Sequence, residues 1–181
     1  MRDVVLSLCD YTGIWGDQYA DEYDVIKIDL QHGHDVRLFR YMPKRRVHGI
    51  IAQPPCDHFS GSGARWWKQK GDAAIIEGLQ LVDACLRIIY AHDPDWWVLE
   101  NPVGRLRHYI GPYAHTYQPN EYGDPYTKRT CLWGEFTMPQ RNPVEATEGS
   151  KMHLIAPGPN RKNIRSATPP GFARAFRLAN P

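Results

Sequence analysis

At 181 residues, 42% of them hydrophobic and 23% charged, the chain has the size and composition of one soluble globular domain, which excludes a disordered tail. Its 22 basic residues nearly balance 20 acidic ones, for a net charge of +2, so charge permits an anionic partner without demanding one. No apolar run reaches the roughly 20 residues that span a bilayer, and "MRDVVLSLCD" lacks the form of a signal peptide; no membrane partner and a cytoplasmic location are expected. Four cysteines, Cys9, Cys56, Cys85 and Cys131, stand far apart with no C-x-x-C pair, which points to reduced thiols and no metal site.

In chain order, the short apolar run Val4 to Cys9 reads as a strand that stops at the polar, glycine-bearing turn "DYTGIWG". "YDVIKIDL" (Tyr23 to Leu30) gives a second strand, and "VHGIIAQ" (Val47 to Gln53) a third, closed by Pro54 and Pro55. Asp72 heads an amphipathic helix to Ala91, in which Ile76, Leu79, Val82, Leu86 and Ile89 recur at three- and four-residue spacing. "DWWVLENP" (Asp95 to Pro102) returns as a buried strand. From Gln118 to Pro170 proline and glycine are frequent and periodicity is weak, which predicts loops with at most two short strands. "GFARAFRLAN" (Gly171 to Asn180) predicts a closing helix. Strands alternating with helices or long crossovers imply an α/β domain with a mostly parallel sheet, whose ligands sit beyond the C-terminal ends of the strands.

Two strand ends carry reactive groups. Cys56 follows a rigid Pro-Pro corner and precedes "SGSG" (Ser60 to Gly63), which lets a backbone approach a ligand. A thiol placed there can serve as a nucleophile if its pKa is lowered; the plainer alternative is a half-buried structural cysteine. Glu100 ends a strand of Trp96, Trp97, Val98 and Leu99, where apolar surroundings raise a carboxyl pKa and let it carry a proton near neutrality. Its alternative is a solvated acid capping the next turn.

"PPCDHFSGSG" resembles the P-C-Q-x-F-S-x-x-G nucleophile segment of the cytosine-C5 DNA methyltransferases, with Cys56 on the catalytic cysteine. "ENP" (Glu100 to Pro102) resembles their E-N-V signature, and "YTGIWG" (Tyr11 to Gly16) their F-x-G-x-G-G loop for S-adenosylmethionine. "SATPPGFARAF" (Ser166 to Phe176) is similar to the final motif, whose helix folds back beside the cofactor loop. The resemblance implies a single Rossmann-like methyltransferase domain over residues 1–181. It places Tyr11 against the adenine, Gly13 and Gly16 against the methionine portion, Asp29 on the ribose hydroxyls and Asp35 on the adenine amino group. Thr12, Pro55 and Ser166 complete that cofactor set.

The same resemblance implies transfer of a methyl group to C5 of cytosine in DNA through a Cys56 adduct at C6, with Glu100 gripping the ring and the nucleotide flipped out of the duplex. The chain departs from the family pattern in several places. Thr127 to Cys131 match Q-x-R-x-R with one arginine, Arg129, which is the candidate for orienting base and nucleophile; Cys131 stands where the second would be. Asp57 replaces a glutamine, Trp15 stands at a glycine position of the cofactor loop, and the loop's acid comes one place late as Asp10. About three dozen residues separate "KRTCLWG" from "SATPP", too few for a target-recognition domain, so relaxed or short sequence specificity is expected, as suits a phage-like enzyme. The same chemistry on a cytidine nucleotide or an RNA cytosine is the alternative, and a catalytically silent cofactor- or nucleic-acid-binding module is the alternative of another class.

Overall fold

A computed structural model describes residues 2–42 and 44–181. Met1, and Pro43 within the basic stretch Arg40 to Arg46, lie outside the described residues. The six strands are β1 (Val4–Leu8), β2 (Asp24–Ile28), β3 (Val47–Ala52), β4 (Trp96–Pro102), β5 (His115–Tyr117) and β6 (Thr130–Glu135), in one sheet of order β2-β1-β3-β4-β6-β5. The first four run parallel, and β6 returns antiparallel between β4 and β5. The helices are α1 (Trp67–His92), α2 (Arg107–Ile110), α3 (Arg161–Ser166) and α4 (Pro170–Ala179).

The apolar runs form strands because both of their faces are covered. On one face, Leu6, Leu8, Ile50, Ala52 and Leu99 pack with Val82, Cys85, Ile88 and Ile89 of α1. On the other, Val5, Ile51, Val98 and Leu132 pack with Phe172, Ala173 and Phe176 of α4. Burial on both faces explains why these strands read as continuous hydrophobic runs rather than alternating ones. Helix α1 is broken at Gly71, whose φ of 66° is open to glycine, so its long regular part begins at Asp72 as the sequence predicts. The segment expected to be mostly loop contains β6, and β5 lies just ahead of it.

The topology positions the site. The chain leaves β1 for β2 on one side and returns to β3 on the other, so the strand order reverses between β1 and β3, the switch point at which open α/β sheets bind ligands beyond the C-terminal strand ends. Leu8 is in register with Ala52, and Ala52 with Leu99. Whatever follows these three residues therefore emerges at one level on one edge of the sheet.

Candidate active site

The residues after β1 are organised by Asp10, which is buried. Its Oδ1 accepts from the Gly13 N–H at 2.9 Å and the Thr12 hydroxyl at 3.2 Å, and its Oδ2 from the Ser7 hydroxyl at 2.9 Å and the Gly16 N–H at 3.4 Å. The turn is made by Cys9 at φ 58° and Gly13 at φ 70°, the first a left-handed conformation that a cysteine rarely adopts. A Cβ at Gly16 would lie 2.8 Å from the Ser7 hydroxyl, so glycine is needed for the loop to lie against β1. Trp15 does not occupy this cradle. It is fully buried, with its ring edge-on to Phe172 and Phe176 at 5.2 and 4.9 Å, and so it ties the loop to α4.

The remaining cofactor candidates surround the ends of β1 and β2. Tyr11 is 41% exposed and stacks on His32 with ring centroids 5.1 Å apart. Asp29 follows β2, and its Oδ1 accepts from the Gln31 N–H at 2.8 Å. Gln31 exchanges side-chain hydrogen bonds with Asn163 of α3, and Ser166 closes that helix by donating to the Asn163 carbonyl. Lys162 reaches Asp57 at 2.6 Å, so α3 bridges the segments after β2 and β3. Asp35 pairs with Arg37, whose guanidinium bonds both of its oxygens and holds its carboxyl below the usual range. It lines a cavity of about 410 Å³ with Ile26, Ile28, Leu38 and Phe39, along the outer edge of β2 and away from Cys56.

The thiol lies just past the end of β3 and the carboxyl in the neighbouring β4, two residues before its end. Cys56 is half-buried, and its carbonyl accepts from the Phe59 and Ser60 N–H groups in a tight turn. Pro55 and Pro54 lead into it, and the Pro54 carbonyl accepts from the buried Asn101 side chain at 2.9 Å. Burial pushes the Cys56 thiol up to about 11, reinforced by the charges of Glu100 and Asp57 and opposed by that of Lys128. Burial likewise raises the Glu100 carboxyl, which Lys128 lowers and Asp10 raises. Ala52 and Leu99 are in register, so Cys56, four residues after the one, and Glu100, next after the other, issue from neighbouring strands.

Arg129 is not brought into this cluster. Glu100 pairs with Leu132 and Asn101 with Cys131 across the β4–β6 ladder, so alternation sets Arg129 and Cys131 on the opposite face from Glu100. Arg129 is exposed, while Cys131 is buried in the core. Sequence reasoning named Asp10 only as the displaced acid of the cofactor loop and gave Lys128 and Lys162 no place in the site. Asp10 carried a signal, an acid three residues before a glycine; the positions of the two lysines depend on strand pairing and on the fold-back of α3.

Among the described residues no cluster of side chains could hold a metal ion, and no helix is long and apolar enough to cross a membrane. The sheet order and its layers define a Rossmann-like methyltransferase fold, shared with a candidate DNA modification methyltransferase encoded within a prophage of Escherichia coli. The two match with a TM-score of 0.54 at 16% identity, over 79% of this chain and 53% of that one, a likeness of fold alone. A candidate type II methyltransferase of Methanocaldococcus jannaschii, M.MjaORF1200P, is 25% identical over 118 residues, 58% of this chain and 32% of the relative. The chain thus spans about half the length of the first protein and about a third of the second. No protein-family model matches it.

Proposed function

We propose that this chain is the catalytic unit of an S-adenosylmethionine-dependent DNA methyltransferase that modifies C5 of cytosine, with Cys56 as nucleophile. The observation that carries the reading is the convergence of a half-buried thiol and a buried carboxyl at adjacent strand ends, close enough for the Glu100 charge to raise the thiol. Both relatives bear methyltransferase names, which supports the coarser part of it.

The loop pinned by Asp10 fits the cofactor. Gly16 lets the loop lie close against β1, and only Oδ1 of Asp29 is engaged among the described residues, leaving Oδ2 for a ribose hydroxyl. S-adenosylmethionine, held there, supplies a methyl group on a positively charged sulfur. Tyr11, Thr12, Gly13, Gly16, Pro55 and Ser166 would line it, and an adenine amino group would compete with Arg37 for Asp35.

Cytosine is a poor carbon nucleophile, so Cys56 gives up its proton to solvent and its sulfur bonds to C6 as the C5–C6 π pair shifts through C4 towards N3. Glu100, whose protonated form is favoured by burial, donates its proton at N3 while its second oxygen accepts from the exocyclic amine. Negative charge therefore does not accumulate on the ring, and C5 becomes able to take the methyl. Loss of the C5 proton to solvent then breaks the C6–S bond, the sulfur recovers its electron pair, and N3 returns its proton to Glu100. In a duplex the target nucleotide must first leave the stack, at a cost of a few kcal/mol; Arg129, exposed at the rim, is offered to a phosphate.

Labelled S-adenosylmethionine incubated with duplex DNA, RNA and dCMP should label DNA. Label in RNA or dCMP alone would reassign the substrate, and none in any of them would refute the activity. DNA carrying 5-fluorocytosine should trap the protein covalently, and Cys56→Ser should abolish trapping; an adduct that survives in the variant overturns the assignment of the nucleophile.

A further inference from the structure

We infer that Lys128, on the segment entering β6, is a positioning residue that supplies the compensating positive charge for the Cys56–Glu100 site. The inference rests on the reading of Cys56 and Glu100 given above. Three placements carry it. First, the β4–β6 ladder pairs Glu100 with Leu132 and Pro102 with Thr130; continuing the alternation puts Lys128 on the face of Glu100 and Arg129 on the other. Second, the Lys128 backbone is fixed by its N–H donating to Gln118 Oε1 at 2.9 Å, and its ammonium by donating to the Ala167 carbonyl at 3.1 Å. Third, the next residue, Thr168, is hydrogen-bonded by Gln53, which begins the Gln53-Pro54-Pro55-Cys56 corner, so the ammonium is anchored at the seam beside the thiol.

The charged groups that face Cys56 come from four directions: Asp57 in its own loop, Glu100 from β4, Lys128 from the entry to β6 and Lys162 from α3. Lys162 is committed to Asp57 in an ion pair. Lys128 has a carbonyl as its partner and no carboxylate within 4 Å among the described residues, so its charge is left to act on its surroundings. The direction of its effect agrees, since it favours the ionised forms of both Cys56 and Glu100. Thiolate formation and early addition to the ring both create negative charge at this point, and a fixed cation in a water-poor site opposes that cost.

The test uses the whole chain with Lys128→Met and Lys128→Arg, and reads the pH dependence of iodoacetamide alkylation by mass spectrometry of the Cys56 peptide. Between pH 8 and 9.5 the rate follows the thiolate fraction. Lys128→Met should slow it by about tenfold, the change that accompanies one pK unit, and Lys128→Arg should restore it. A profile unchanged in Lys128→Met, or not restored by arginine, overturns the inference. Should the alkylation shift occur while the unaltered chain transfers no methyl group to any nucleic acid, the reading of the reaction fails and the action of Lys128 on Cys56 stands.

Discussion

Removing the Asp10 carboxylate should dissolve the order of the candidate cofactor loop. The side chain accepts four hydrogen bonds; those from the Ser7 hydroxyl and the Gly13 N–H are both 2.9 Å long and buried. Asp10→Ala leaves those two donors without a partner. Each buried donor left unsatisfied costs about 1–3 kcal/mol, so for the two a loss of about 2–6 kcal/mol is expected, with the Thr12 hydroxyl able to reach water. Asp10→Asn keeps Oδ1 for Thr12 and Gly13 but points an amide N–H at the Gly16 N–H, and should cost about 1 kcal/mol. Urea titration measures the loss as a lower midpoint at unchanged slope, and calorimetry should show S-adenosylmethionine binding weakened at least tenfold in Asp10→Ala, because the loop must then be ordered by the ligand. A loss below about 1 kcal/mol together with unaltered cofactor affinity would refute the role given to Asp10.

The Glu100→Gln variant tests the carboxyl. Folding raises the Glu100 pKa above its ordinary 4.5, so the folded state holds that proton more tightly than the unfolded one, and stability falls as pH rises from about 4.5 through the folded value. The variant should therefore have a higher urea midpoint than the parent at pH 8 and a similar one at pH 4; equal midpoints at both would count against a desolvated carboxyl. It should also titrate Cys56 below the parent's value of about 11, since the Glu100 charge raises it, as alkylation rates will show. Trp15→Gly, which restores the glycine of the related cofactor loops, should cost about 3–5 kcal/mol by emptying the space against Phe172 and Phe176; thermal or urea unfolding measures it, and a cost under about 1 kcal/mol would deny that Trp15 joins the loop to α4.

The parts of this structure that were legible in the sequence are those specified locally. The runs at Val4, Asp24, Val47 and Trp96 are apolar and rich in β-branched or aromatic residues, and each ends at a polar or proline corner, so four strands could be read one by one. Asp72 marked the start of the regular part of α1. β6 was hidden because "TCLWGE" includes Gly134, whose φ of 141° and close approach to the Trp97 carbonyl make sense only once β4 is beside it. The Pro-Pro-Cys corner and the carboxyl of Glu100 were likewise visible. Trp15 looked like a disturbance of the cofactor loop because nothing nearby says that α4, more than 150 residues later, brings two phenylalanines against it. The pairing of Asp35 with Arg37 is the opposite case, a contact two residues apart. Lys128 could be separated from Arg129 only by knowing which of them shares a face with Glu100.

Burial favours the protonated forms of both reactive groups of the site, and that bears on how it could work. Burial is the first cause of the rise in both Cys56 and Glu100, and the Glu100 charge raises the thiol further. The doubly ionised state is therefore the least favourable, and Glu100, with the intrinsically more acidic group, would ordinarily ionise first. A pyrimidine ring reverses that order: N3 and the exocyclic amine engage Glu100 in its protonated form, which removes one of the causes raising Cys56. The thiol is left opposed by burial and Asp57 and favoured by Lys128. Substrate binding and nucleophile activation are in this way the same electrostatic event, because the group that clasps the ring is the group whose charge otherwise suppresses the thiolate.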